Sequence, residues 1–159
     1  MIYDANAIAN WFLGRIDTNA GDTISHLKLQ KLIYYAQAWH LAIYGKPLFK
    51  EKIESWPNGP VVASIYHRFK DIPRAAAIDS FKDWTKTDFS AEIEELLEEV
   101  YTIYGEHSAG YLQELTKREL PWKKARKGLD MFEKVDKAIT HKDMIDYYKK
   151  RMNNGKKAS

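Results

Sequence analysis

The sequence predicts a mainly α-helical domain, and two observations carry that prediction. Apolar residues recur at intervals of three and four along most of the chain, as on one face of an α-helix. Residues that favour helix starts and stops, chiefly serine and glycine, bracket these segments. The 159 residues are 45% hydrophobic and 30% charged, which is typical of a globular chain with a core. We expect one compact domain of about six helices over 1–152, a short two-stranded β element, and a flexible C-terminal tail over 153–159.

The first third of the chain contains two predicted helices. Asp4 is placed to cap the first helix, which ends before the polar segment DTNAGDT at 17–23. Ser25 opens the clearest helical pattern, HLKLQKLIYYAQAWHLAIYG. This helix is apolar around much of its circumference, so we expect it to be central and surrounded by the others. Gly45 suits the left-handed residue that ends a helix, and Pro47 favours the stop.

A proline-rich corner, WPNGP, comes next. The segment before it alternates weakly between apolar and polar residues, which indicates a short extended stretch. Both prolines restrict φ, whereas Gly59 between them allows a wide range. Pro60 suits the first position of a helix, so we predict that a helix starts there. We interpret the corner as a structural elbow that holds Trp56 and Tyr66 in fixed positions; direct contact with a partner is the alternative.

Four helical segments are predicted in the second half. Ser90 and Ser108 are placed to cap the first two of them. Pro121 opens a short helical turn. Thr140 and Asp143 resemble a capping box at the start of the last helix.

The residue types needed for common kinds of catalysis and metal binding are absent or scattered. The chain has no cysteine, which excludes disulfides, thiolate nucleophiles and cysteine-based zinc sites and fits a reducing compartment. Its five histidines lack zinc-ligand spacing, although a site built from distant histidines stays an alternative. Glu95, Glu98 and Glu99 are interpreted as a solvated helix face. We therefore expect no enzyme activity, no catalytic residue, no metal and no cofactor.

Charge is distributed unevenly along the chain. Residues 117–159 carry 14 Lys/Arg and 6 Asp/Glu, whereas residues 1–116 carry 11 and 16. The C-terminal part could therefore face an acidic protein or nucleic acid, although lysines that simply keep the helices soluble are the preferred interpretation. The N-terminus has no basic segment before an apolar run, and no apolar run is long enough to span a membrane. We expect a cytoplasmic protein without a membrane partner.

Aromatic residues are abundant, at 13% of the chain. Most must lie in the core, but some tryptophans and tyrosines flank polar turns. These residue types are enriched in protein–protein hot spots. The composition therefore favours an interaction module over an enzyme.

Three ordered motifs carry a resemblance to a known family. They are Lys31, Leu32, Tyr34 and Tyr35; then Trp56, Gly59, Pro60 and Val61, followed by Tyr66; and finally Leu115, Thr116, Pro121 and Trp122. Over about residues 3–127 the chain resembles the Panacea domain family, also called the SocA-like antitoxin or phage-associated GepA-type family.

This resemblance implies a mainly helical, non-enzymatic antitoxin of bacteria, prophages and mobile elements. Its partner would be a cognate toxin encoded beside it, neutralised by direct binding; delivery of the toxin to a protease is a variant. The alternative from another class is a phage-derived regulatory protein that binds nucleic acid, which we consider the weaker interpretation. Lys117 stands where relatives often have histidine, so a role attached to that histidine is not carried over to this chain. The DNA-binding domain that some relatives carry is not expected in 159 residues.

These considerations select two groups of residues. The expected partner-binding residues are Trp56, Tyr66, Trp122, Lys123, Lys124, Arg126 and Lys127. The expected structural motif residues are Lys31, Tyr34, Tyr35, Gly59, Pro60, Thr116 and Pro121.

Overall fold

The computed structural model describes residues 2–16, 20–21, 23–78 and 85–158, with side chains described up to residue 154. The predicted break after the first helix falls partly on residues 17–19 and 22, outside the described part. The helices and strands of the described ranges are α1 (Ala5–Arg15), α2 (His26–Tyr44), β1 (Glu54–Trp56), β2 (Gly59–Val61), α3 (Ala63–Arg68), α4 (Ala91–Tyr104), α5 (Ala109–Arg118), α6 (Leu120–Ala125) and α7 (His141–Ala158). The predicted mainly helical fold with a small two-stranded sheet is confirmed.

Helix α2 is the centre of the fold, as predicted. The Ser25 hydroxyl caps it by accepting a hydrogen bond from the Lys28 N–H at 3.1 Å. Gly45 ends it in the left-handed conformation with φ of 73°, which favours glycine because it has no Cβ. Helices α1, α4, α5 and α7 all pack against α2. Most of its side chains are consequently buried, including polar ones.

The proline-rich corner is the turn of a β-hairpin. Trp56 pairs with Gly59 and Ser55 lies opposite Pro60 in the antiparallel register. Pro60 therefore belongs to β2, and α3 begins only at Ala63. The prediction of a helix start at Pro60 is wrong, because Gly59 takes a φ of 110° and the chain leaves it in an extended direction.

Side chains and a second segment complete the hydrogen bonding of this hairpin. The amide of Gln30, on α2, accepts from the Val62 N–H at 2.9 Å and donates to the Val62 carbonyl at 3.2 Å. On the other side of β1, the Ser55 N–H donates to the Lys137 carbonyl at 2.8 Å. Since buried backbone groups need partners, these contacts fix the hairpin between α2 and the segment that precedes α7.

The predicted helix starts of the second half are confirmed. The hydroxyls of Ser90, Ser108 and Thr140 each accept a hydrogen bond from the backbone N–H three residues later, at 3.1–3.4 Å. Pro121 lies in the first turn of α6. Helix α7 includes residues 153–158 of the segment for which a tail was predicted; the flexibility of that segment stays a prediction.

Candidate functional site

Lys31 is the residue on which the three sequence motifs meet. It is fully buried on α2, and its ammonium group donates to the Pro60 carbonyl at 3.2 Å. Gly59 lies directly against it: a Cβ at this glycine would stand 2.8 Å from Lys31 Cε and 3.1 Å from Thr116 Oγ1. The lysine side chain thus passes beneath the hairpin, and only glycine fits above it.

The surroundings of Lys31 are electropositive. Burial, and then the nearby charge of Arg74, lower its pKa to about 7. Burial and the charges of Lys31 and Arg74 lower the pKa of His26 to about 4. Among the described residues, no carboxylate forms an ion pair with Lys31. The Lys31 amino group thus has a backbone carbonyl, and not a carboxylate, as its hydrogen-bond partner.

A second buried polar cluster joins α2 to α7. One oxygen of the Glu119 carboxylate accepts hydrogen bonds from the hydroxyls of Tyr35 at 2.6 Å and Tyr148 at 3.0 Å. The Tyr34 and Tyr148 hydroxyls are 2.9 Å apart, and Tyr104 stacks on Tyr35 with ring centroids 3.8 Å apart. Burial raises the pKa of Glu119 above its usual range. These groups satisfy one another in the interior, so they act as scaffold.

The structure brings three of the predicted partner-binding residues together at the hairpin. The rings of Trp56 and Tyr66 make an edge contact with centroids 4.9 Å apart. The Trp122 indole N–H donates to the Trp56 carbonyl at 2.9 Å. Trp122 supports the hairpin from α6 and is half-buried, as is Trp56, whereas Tyr66 is exposed.

A groove of about 730 Å³ opens beside the hairpin. We call it the hairpin groove; its apolar walls are Leu27, Trp56, Val61, Tyr66, Phe132 and Val135. Phe132 is 80% exposed, on the irregular segment between α6 and α7. Phe132 and Val135 were not among the predicted partner-binding residues. The sequence feature that could have identified them is a phenylalanine inside the charged, turn-forming segment GLDMFEK.

The predicted basic cluster does not form one surface. Lys123, Lys124 and Lys127 are exposed, and Lys124 pairs with Asp143 at 3.0 Å. The Arg126 guanidinium instead points inward and is only 7% exposed, where it donates to several backbone carbonyls. Arg126 therefore has a structural position, and partner binding by the three lysines stays a prediction.

The described residues also bear on the expected metal and membrane sites. Within the described ranges, no group of three or more histidine, aspartate or glutamate side chains is placed to hold a metal ion. No helix in the described part of the chain combines the length and apolar character needed to cross a membrane. The absence of a cofactor stays a prediction.

Comparison with known proteins adds two findings. A family model described as "Antitoxin SocA-like, Panacea domain" matches residues 29–123. The protein "Antitoxin SocA" of Caulobacter vibrioides (strain NA1000 / CB15N) is 39% identical over 66 residues, which are 42% of this chain and 35% of that protein. The match thus spans about a third of the length of that curated relative. No solved structure gives a significant match. The family region includes the hairpin but ends before Phe132.

Proposed function

The chain belongs to the SocA-like antitoxin family with a Panacea domain, and we propose that it is an antitoxin that neutralises a cognate toxin by direct protein–protein contact. The observation that carries the proposal is the family match over residues 29–123, which also confirms the resemblance seen in the three motifs. The curated relative bears the name of an antitoxin. The existence of the toxin, its identity and the mode of neutralisation are parts of this proposal.

The architecture supports a binding role because the motif residues build a rigid presentation of the hairpin. Lys31 supports the hairpin from α2, and Trp122 supports it from α6. A surface that is already ordered loses less conformational entropy when a partner binds. Trp56 and Tyr66 on this surface belong to the residue types that most often dominate binding energy.

We propose that the protein acts by binding and not by catalysis. The Glu119 carboxylate, a reactive group in many enzymes, is buried and hydrogen-bonded to two tyrosine hydroxyls. Lys31 is buried beneath the hairpin, where a glycine covers it. Both groups are thus engaged in holding the fold together, which supports a scaffold for an interaction surface. The cytoplasm, as its compartment, stays a prediction.

Co-expression with the product of the adjacent gene tests this proposal. We expect that product to arrest growth alone, and the protein to restore growth and to co-purify with it in a fixed stoichiometry. Mixing the two purified proteins, with the toxin's activity as the readout, separates direct neutralisation from delivery to a protease. Restored growth without any physical association would refute direct neutralisation.

A nucleic-acid-binding regulator is the second candidate, favoured by the exposed cations Lys149, Lys150 and Arg151 on α7. Binding to a nucleic acid releases counterions, so its affinity falls steeply as salt rises. The test is DNA and RNA binding at two salt concentrations. Tight, salt-sensitive binding by the wild type, lost on reversal of these three charges, would favour the regulator over the antitoxin.

A further inference from the structure

We propose that the hairpin groove binds an extended acidic segment of the toxin partner, in which a large apolar side chain lies beside an aspartate or glutamate. This inference rests on the proposed function and adds the surface and the chemistry of the contact. The family match covers only part of this groove, because the segment 132–136 that completes it lies beyond residue 123.

The walls of the groove call for an apolar side chain. Trp56 and Tyr66 line it together with Phe132 and Val135 of the segment that precedes α7. Phe132 is 80% exposed, so large apolar surface is open to water at the groove. An aromatic or leucine side chain inserted between these walls would remove that surface from water, which is the main favourable contribution to such contacts.

The cations around the groove favour an acidic residue next to the apolar side chain of the bound segment. Arg74 and Lys134 line it, and neither forms an ion pair with a carboxylate in the described ranges. Arg74 contacts the neutral side-chain amide of Asn58. Complementary charge of this kind selects a partner and speeds its association.

Of the two carboxylates that line the groove, Glu54 is hydrogen-bonded within the hairpin and Asp136 is 87% exposed. Glu54 is buried and accepts a hydrogen bond from the Trp56 indole N–H at 2.9 Å. Asp136 faces Lys52, with 4.0 Å between the carboxylate oxygen and Lys52 Nζ. Neither is paired with Arg74 or Lys134, so the cations are left for the occupant.

Arg126 keeps both walls at a fixed distance. Its guanidinium donates to the Ser55 carbonyl at 2.7 Å on β1, and to the carbonyls of Asp130 and Glu133 at 2.9 Å each. One buried side chain thus ties the segment that carries Phe132 to the strand that carries Trp56. The groove is therefore formed before a partner arrives, which lowers the entropic cost of binding.

The test begins with selection of a phage-displayed library of random short peptides on the full-length protein. We expect enriched peptides to share an acidic residue beside a large apolar one. A labelled enriched peptide is then titrated by fluorescence anisotropy. Phe132→Ser should weaken binding about tenfold or more, the scale of a hot-spot truncation. Met131→Ser is the matched control, since Met131 is similarly exposed but does not line the groove, and it should change affinity less than about twofold.

A second pair of variants tests the charge. Lys134→Glu should weaken the peptide, more so at low salt than at high salt, because exposed charges are screened by ions. Lys137→Glu is its control, since Lys137 is exposed in the same segment but does not line the groove. If both variants weakened peptide binding equally, the effect would come from the net charge of the protein and not from the groove. That result would overturn the acidic part of the inference.

Several results would overturn the inference outright. One is that every enriched peptide binds Phe132→Ser as tightly as it binds the wild type. Another is stabilisation of the wild type by ATP that is lost in Arg74→Glu, without peptide binding; the groove would then be a site for a small anion.

The peptide selection needs no toxin, so its outcome is independent of the antitoxin role. In the co-expression assay, we expect the double variant Phe132→Ser, Lys134→Glu to lose rescue. Rescue retained by that variant would overturn the groove and leave the proposed function standing. Failure of the wild type to rescue would refute the proposed function, and the peptide titrations would then decide alone whether the groove is a protein-docking site.

Discussion

Replacing Gly59 by alanine should destabilise the protein more than the same replacement at Gly45. Both glycines have positive φ, 110° and 73° respectively, so alanine strains the backbone at each. At Gly45 a Cβ would meet nothing within 4 Å, whereas at Gly59 it would meet Lys31 Cε at 2.8 Å and Thr116 Oγ1 at 3.1 Å. Both substitutions therefore strain the backbone, and only Gly59→Ala adds a steric cost.

The magnitude follows from these two contributions. Backbone strain of this kind costs about 1–3 kcal/mol, and overpacking a buried site costs about 1–3 kcal/mol more. We expect the free energy of unfolding to fall by about 1–2 kcal/mol for Gly45→Ala and by about 3–5 kcal/mol for Gly59→Ala. Urea denaturation measures both values, provided that the m value stays unchanged.

A double-mutant cycle with Lys31→Leu identifies the contact responsible. Leucine retains apolar volume but ends before the Cε position, so it removes the atom that a Cβ at Gly59 would strike. Gly59→Ala should then cost about 1 kcal/mol less in the Lys31→Leu background than in the wild type. Equal costs for Gly59→Ala and Gly45→Ala, or strict additivity in the cycle, would refute the idea that Gly59 is required by the lysine beneath it.

Three further predictions concern the buried charges. Because the folded-state pKa of Lys31 is lowered from 10.5 to about 7, the folded state binds its proton less tightly, and the free energy of unfolding should rise with pH between these values by up to about 1.4 kcal/mol per unit. Lys31→Leu should abolish that rise in urea titrations run at several pH values between about 7 and 10.5; a rise that persists would contradict the assignment. Because burial raises the pKa of Glu119 above its ordinary value of 4.5, the wild type should gain stability relative to Glu119→Gln as the pH falls through the folded-state pKa towards 4.5, and parallel pH profiles would count against it. Arg126→Met should cost about 2–4 kcal/mol in thermal melts, since it leaves several carbonyls unpaired, whereas the exposed control Lys127→Met should stay within about 0.5 kcal/mol; similar costs would show that Arg126 is not structural.

Local sequence patterns were sufficient to predict most helix boundaries. A cap depends on one side chain and a backbone N–H a few residues away, so Asp4, Ser25, Ser90 and Ser108 identified their helices correctly. The all-round apolar character of α2 predicted its central position for a related reason, since such a helix needs neighbours on every side. The motifs also identified the family, which local patterns alone could not have done.

Long-range contacts decided what the sequence left open, and the hairpin shows why. Pro60 suits a helix start as well as a strand, and the choice depends on pairing with β1 and on contacts from Gln30 and Lys31. Only the folded chain brings these groups together across about thirty residues of sequence. Local propensity is a weak constraint compared with such tertiary pairing.

Some features of the candidate site were likewise predictable from the sequence, and others depended on the tertiary structure. The sequence by itself determined that Trp56 and Tyr66 flank a stiff turn, because proline and glycine act on their own backbone. It did not determine that Arg126 turns inward, since a basic run with alternating burial looks the same as a solvated one. The second wall of the groove, with Phe132, depended on 137–139 pairing beside β1. Which side chains share a surface depends on contacts between residues far apart in the chain. Only the tertiary structure sets these contacts.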